Sequence, residues 1–186
     1  DVDRDGQLYI LSKDNQFFSY YINSYGLATL NPDQSNSINK ILKGRTCIDL
    51  SVNKYFEVII LTSDRLFKFD KDGNELDSIV LDRQFKALDN TFFGDMILLD
   101  SMQSVLVKYS RAFDYLGDYE FNELDGRTPE DITVYEDFGY VAINSTLGGI
   151  YFGMGVSLSD LNLDKLRQRN NYQIRFLSTF PAKVDV

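Results

Sequence analysis

Apolar residues along this 186-residue chain fall in short runs separated by polar clusters. The strongest runs are Leu8–Leu11, Phe56–Leu61, Met96–Leu99 and Tyr140–Ile143. Runs this short, bounded by Asn, Asp, Ser and Gly, predict strands and turns rather than helices. Each run has the same surroundings. A short apolar strand and a polar turn precede it. A second polar turn follows ("SKDNQ", "TSDR", "DSMQS", "NSTLGG"), then a third strand with aromatics: Phe17–Tyr21, Leu66–Phe69, Val105–Tyr109 and Ile150–Phe152. In the first three units a looser fourth segment completes the pattern: "GLATL", "NELDSIVL" and "YLGDYEF".

From Ile10 to Ile60, Leu98 and Ala142 the steps are about 50, 38 and 44 residues. Propeller blades of four antiparallel strands repeat every ~40–50 residues. The second strands are nearly continuous apolar runs, as expected for strands buried on both faces between stacked sheets. The pattern predicts an all-β fold, a β-propeller of about four blades. A β-sandwich also uses many short strands, but it has no need to repeat one strand order. The repeats are expected at about 1–38, 45–84, 85–127 and 128–156.

"LFKFDKDGNEL" (Leu66–Leu76) resembles the third strand and following turn of NHL-type β-propeller repeats. "DVDRDGQLYIL" and "DITVYEDFGYVAI" resemble their first-to-second-strand turn. The resemblance covers about three quarters of the chain. It is similar, at the same loose level, to propeller-bearing phage tail and nozzle proteins and to six-bladed propellers of bacterial surface proteins. It implies an architecture and carries over no functional residue.

The first repeat holds only Asp1 and Val2 of its first strand. Either the sequence is a fragment of a larger propeller, or a C-terminal strand completes the first blade and closes the ring. "YQIRFLSTF", within 172–181, alternates apolar and polar residues and is the candidate for that strand. Between it and the fourth repeat, 157–171 reads as a short C-terminal helix: Ser157 or Ser159 as N-cap, Asp160 near the start, Arg167 and Arg169 near the end.

Composition narrows the function. Lys and Arg total 19 against 28 Asp and Glu, a net charge of −9. Such a surface repels phosphate backbones, so nucleic acid is not expected as a partner. No apolar run reaches the ~20 residues needed to span a bilayer, and membrane insertion is not expected. The chain has no histidine, which removes His-based triads and His-ligated zinc. The lone Cys47 reads as a small buried hydrophobe.

"DVDRDG" places Asp1, Asp3 and Asp5 in alternation before Gly6, as a calcium loop begins. An EF-hand needs an acid at its twelfth position, which is Ser12, and a flanking helix where Leu8–Leu11 reads as a strand. A non-helical calcium loop competes with a plain hairpin turn, and the turn is preferred because "DKDG" (Asp70–Gly73) shows the same chemistry. The carboxylate pairs Glu130–Asp131 and Glu120–Glu123 read as surface charge. "LGGIYFGMG" (Leu147–Gly155) lacks the spacing of a phosphate-binding loop, and "NST" (Asn144–Thr146) reads as a turn. No catalytic, cofactor-binding or metal residue is assigned, and no cofactor is expected.

The expected function is a non-enzymatic module that binds other protein subunits, a structural piece of a larger assembly such as a phage tail or baseplate, in a virion or at a bacterial surface. A calcium-dependent propeller hydrolase, lactonase-like or glycan-acting, and a surface or periplasmic glycan-binding module are the alternatives. The connections Asn31–Lys40 and Phe121–Asp131 are the expected binding loops.

Overall fold

The computed structural model describes residues 1–91, 93–103, 105–120, 129–135, 138–144, 151–157 and 176–177. They form four antiparallel sheets in chain order. The first holds β1 (Gln7–Leu11), β2 (Phe17–Ile22) and β3 (Ala28–Leu30). The second holds β4 (Cys47–Val52), β5 (Val58–Thr62), β6 (Arg65–Phe69) and β7 (Glu75–Val80). The third holds β8 (Ala87–Asn90), β9 (Met96–Asp100), β10 (Val105–Tyr109) and β11 (Tyr115–Glu120). The fourth holds β12 (Pro129–Tyr135), β13 (Phe138–Asn144), β14 (Tyr151–Ser157) and β15 (Phe176–Leu177).

Each sheet is a meander in which every strand pairs with the next. All of β5 and β9 is buried, whereas β7 is mostly exposed. The second strands therefore lie between neighbouring sheets and the fourth strands lie outermost. Side chains alternate across each sheet, so the second and third strands serve two seams. Ile59, Leu61 and Leu66 of the second sheet pack with Met96, Leu98 and Val107 of the third. On the other face Val58, Ile60, Phe67 and Phe69 pack with Tyr9 and Phe17 of the first sheet. At ~1.5–3 kcal/mol for each fully buried large apolar side chain, these seams hold the sheets together.

One turn design recurs at five turns. The residue opening the turn accepts, through its side chain, the N–H groups two and four places on. Asp3 does so for Asp5 and Gln7, Asn23 for Tyr25 and Leu27, Asn53 for Tyr55 and Glu57, Asp70 for Asp72 and Asn74, and Ser110 for Ala112 and Asp114. The fourth residue of each takes positive φ: Gly6, Gly26, Phe56, Gly73 and Phe113. Glycine adopts this conformation without strain. Phe113 does not, and its burial in the seam between the second and third sheets holds it there.

The connection expected as a surface loop at 31–40 is a helix, α1 (Pro32–Leu42). Asn31 caps it, Pro32 sits in its first turn and Asp33 faces the positive end of the helix dipole. Ile38 and Leu42 are fully buried against Phe17 and Phe69. The helix also finishes the first sheet. Strand β3 is short, pairing only with Tyr20–Ile22. Beyond it, Ser19 N–H donates to Ser35 Oγ, while Asn39 accepts Phe17 N–H and donates to Phe17 C=O. Helix side chains thus satisfy the strand edge that β3 leaves open.

The helix expected at 157–171 lies outside the described residues. The strand expected within 172–181 is described at Phe176–Leu177, where it pairs with Gly153–Met154 and so joins the fourth sheet rather than the first. Ahead of β1, Val2 forms an antiparallel bridge with Leu8, and Asp1 C=O accepts Tyr9 N–H. No helix among the described residues is long and apolar enough to cross a membrane.

Candidate functional site

Two clusters stand out. The first runs along the inner strands, where β4 lies against β8 and β8 against β12. Each sheet contributes one aspartate to it. Asp1 Oδ1 accepts Val2 N–H, and Oδ2 reaches across to Val52 N–H of the second sheet, both at 2.8 Å. Asp49 takes Leu50 N–H with one oxygen and Leu88 N–H of the third sheet with the other, again at 2.8 Å. Asp89 takes Asn90 N–H at 2.7 Å and Val134 N–H of the fourth sheet at 2.6 Å. Asp131 Oδ1 accepts Ile132 N–H at 2.8 Å.

Register makes these clasps alternate. Asp1 and Asp89 lie two residues before their turn openers, Asp3 and Thr91. Asp49 lies four before Asn53, and Ser51 takes the nearer place. Asp131 and Thr133 repeat Asp49 and Ser51. Ser51 Oγ then donates to Asp89 Oδ1 at 2.8 Å, and Thr133 Oγ1 to Asp89 Oδ2 at 3.3 Å. Burial pushes the Asp49 carboxyl up to about 6, against the N–H groups of Leu88 and Leu50 and aided by the charges of Asp131 and Asp89. Burial also raises Asp89, and its four hydrogen bonds oppose the rise. Asp1, Asp49 and Asp89 each commit an oxygen to a backbone N–H group of the next sheet and so join neighbouring sheets, while Asp131 accepts from its own strand.

The second cluster lies where the β4–β5, β8–β9 and β10–β11 turns meet. In a meander, first-to-second and third-to-fourth turns share one end of the sheet, so these three converge. Glu57 is buried and accepts both Arg111 Nε (2.9 Å) and Nη2 (2.7 Å), together with Asn53 Nδ2 (2.6 Å). Burial pushes the Glu57 carboxyl up; the Arg111 and Asn53 hydrogen bonds more than offset this and hold it below the usual range. Arg111 lies 3.7 Å over the Tyr55 ring, and Lys54 lies 5.1 Å from that ring and 5.0 Å from Phe93. Lys68 Nζ donates to Arg111 C=O at 2.7 Å and fixes the third turn. Gly94 closes the group: a Cβ there would stand 3.2 Å from Tyr55 Cε2. The result is an aromatic–cation patch with 42% of Tyr55 and 62% of Phe93 exposed, in which the buried Glu57 anchors the exposed Arg111.

Several other sequence features have structural explanations. Asp3 opens a turn, and its Oδ2 also accepts Tyr9 Oη at 2.8 Å. Asp1 and Asp3 thus aim their oxygens at separate N–H and O–H donors. Replacing Asp3 with alanine should cost about 1–2 kcal/mol in urea unfolding, with the same loss in calcium and in chelator. Glu130 pairs with Lys86, and Asp131 belongs to the inner-strand clasps. Cys47 is half-buried, and burial pushes its thiol up, away from the reactive range. Glu123, most of the 121–131 connection, and the start of "LGGIYFGMG" lie outside the described residues. The aromatic–cation patch was missed in the sequence. Its signal is that "NKYFE" and "TFFGD" are the same turn with an aromatic at the third place, Tyr55 and Phe93.

No protein-family profile matches the chain, and no curated protein does. Solved structures do match it. A protein of unknown function from Bacteroides caccae superposes with a TM-score of 0.53 at 14% identity, over 82% of this chain and 54% of that one. Virginiamycin B lyase from Staphylococcus aureus gives 0.54 at 17%, over 84% and 54%. The β-propeller domain of Cps50 (Swd1) from Myceliophteria thermophila gives 0.55 at 8%, over 84% and 53%. The fold is a β-propeller. The four sheets are its blades, and the chain spans about half the length of these structures. At such identities the likeness extends to the fold alone.

Proposed function

We propose that this chain is a non-enzymatic propeller module that binds protein subunits through the Tyr55–Phe93–Arg111 patch, as a structural part of a larger assembly. The patch itself carries this reading. Tyr and Arg are the residues that most often supply binding energy at protein interfaces, and rigid aromatics lose little entropy on docking. Glu57 and Asn53 hold Arg111 in place before any partner arrives, which lowers the ordering cost of association. The inner-strand carboxylates Asp1, Asp49 and Asp89 hold backbone N–H groups of the adjoining blades. The narrower placing in a phage tail or baseplate rests on the His-free, Asn-, Asp- and Tyr-rich composition alone.

Native purification followed by chemical cross-linking tests this. Subunits that co-purify with the wild-type protein should be lost from the Tyr55→Ala, Phe93→Ala double variant while its melting temperature stays within a few degrees. Retention of the same subunits would overturn the patch as their docking site. Calcium addition separates the module from a calcium-dependent hydrolase: the module's melting temperature should move by less than about 1 °C, where a tightly bound ion would raise it by several.

A further inference from the structure

The chain is acidic overall, with a net charge of −9, but the Tyr55–Phe93 patch is not. The carboxylates of its three turns are all engaged within the chain. Glu57 holds Arg111 and Asn53, Asp95 pairs with Lys108 at 3.0 Å, and Asp114 accepts Ser110 Oγ at 3.1 Å. Glu57 balances one of two charges, those of Arg111 and of the buried Lys68 whose ammonium sits on the Arg111 carbonyl, so a positive excess remains. Arg111 is not saturated. Glu57 takes its Nε–H and one Nη2–H. The other N–H groups, on Nη1 and Nη2, have no acceptor among the described residues, and 45% of the side chain is exposed. Because Glu57 fixes the plane of the guanidinium, its outer edge presents two parallel N–H groups, the geometry that takes a carboxylate bidentately.

The rings beside that edge say what should accompany the carboxylate. Tyr55 lies under Arg111, and Lys54 Nζ stands about equally far from Tyr55 and from Phe93. Gly94 lets the group close up: a Cβ there would meet Tyr55 Cε2 at 3.2 Å and Arg111 Cδ at 3.4 Å. An exposed aromatic surface edged by cations fits a segment that carries an acid next to an aromatic side chain. A long polyanion fits poorly. It would have to lie over a surface of net negative charge, and repulsion would grow with every phosphate beyond the patch. A single acidic side chain meets only the local excess, within a Debye length of it.

We propose that the patch recognises an acidic–aromatic segment of a partner protein, with a Glu or Asp side chain in the Arg111 fork and the neighbouring aromatic ring laid on Tyr55 and Phe93. The proposal rests on the patch being the docking site named above, and it adds the chemistry that docks there. Arg111 then serves two carboxylates. Its own Glu57 holds it in place, and the partner's acid takes the edge that Glu57 leaves open. The partner's aromatic ring shields that second ion pair from water, which strengthens it.

Nuclear magnetic resonance titration of the full chain tests this. The probes are the capped peptide acetyl-Gly-Glu-Phe-Glu-Gly-amide and its counterpart with Gln for Glu. The Glu peptide should shift the Arg111 Nε–H and Phe93 amide signals saturably, and the Gln peptide should bind about tenfold more weakly. Arg111→Lys keeps the charge without the fork and should weaken the Glu peptide by a similar factor. Because that change could loosen Glu57, Phe93→Ala is the second variant: it leaves the ion pair intact and should weaken the Glu peptide by roughly threefold. Equal affinities for the two peptides, or no saturable shift with either, would overturn the proposal. So would equal shifts from inorganic phosphate, which would make this a plain anion site, or tighter binding of a short single-stranded oligonucleotide. The co-purification test stays separate. Subunits lost from the Tyr55→Ala, Phe93→Ala variant, with no discrimination between the peptides, would keep the docking site and remove its acidic partner. Subunits retained there would overturn the docking site whatever the peptides do.

Discussion

Asp89→Ala should destabilise the protein by about 2–4 kcal/mol in urea unfolding at neutral pH, the largest effect expected of any single side chain outside the apolar seams. Asp89 accepts from Ser51 in the blade before it, from Asn90 on its own strand, and from Val134 and Thr133 in the blade after it. Alanine leaves the Val134 and Asn90 N–H groups without acceptors on an inner strand that is largely shielded from water. Each orphaned donor costs ~1–3 kcal/mol. The sum is reduced because the fold already bears the cost of burying the Asp89 charge, as its raised pKa shows. The comparison that makes the result diagnostic is Asp72→Ala. Asp72 stands at the exposed third place of its turn, and among the described residues its side chain accepts nothing, so its loss should stay within about 0.5 kcal/mol. Equal effects from the two variants would mean that the clasp holds nothing. An effect of Asp89→Ala confined to the fourth blade, seen as early hydrogen exchange there with protection elsewhere kept, would mean that the seams are independent.

How much of this was legible in the sequence depends on what each signal had to compete with. The second strands were readable because β5 and β9 are buried on both faces, which forces continuous apolar runs with no polar interruption. The turns were readable as turns, since Asp70–Gly73 and Asp3–Gly6 carry both the opening acceptor and the closing glycine. Their unity was less visible, because Phe56 and Phe113 stand where glycine is expected. Helix α1 was missed although "NPD" is a good helix start. Its segment is rich in Ser, Asn and Gln, and its apolar residues (Ile38, Ile41 and Leu42) are too few to outweigh that polarity. Ser35 and Asn39 look like loop residues until it is seen that they finish the edge of β2. The alternating aspartates were in plain view as letters, yet their partners lie about 40–50 residues away, and only the blade stacking brings them together. Cys47 and "DVDRDG" show the converse: local chemistry that invites a site, with the side-chain atoms turned to ordinary structural use.

Raising the pH from about 4.5 to about 7.5 should lower the unfolding free energy by about 2 kcal/mol through Asp49 alone. The sign follows from the direction of the shift. Burial raises the folded-state pKa of Asp49 from 3.8 to about 6, so the folded protein holds this proton more tightly than the unfolded chain does. That contribution is fully present below the unfolded value, is lost as the pH climbs through the folded value, and is absent above it. Asp89 is shifted the same way and adds to the slope. Glu57, Asp64 and Asp70 are shifted down, so their contributions are complete above the ordinary carboxylate range and fall away only in stronger acid. Stability should therefore peak between pH 4 and 5 and decline toward neutrality, unlike the broad maximum between ~5 and 8 that folded proteins usually show. Asp49→Asn isolates the cause. The amide keeps an acceptor for one of the Leu50 and Leu88 N–H groups and turns a donor toward the other, so some stability is lost at every pH. What should disappear is most of the slope, and nuclear magnetic resonance titration of the wild type should place the Asp49 carboxyl near 6. A slope unchanged in Asp49→Asn would locate the pH dependence elsewhere and would mean that the seam between the second and third blades is wetter than its packing implies. A slope that vanishes makes the clasp a place where blade docking is strongest when its carboxyl is protonated, and it ties the stability of the stack to the pH of its surroundings.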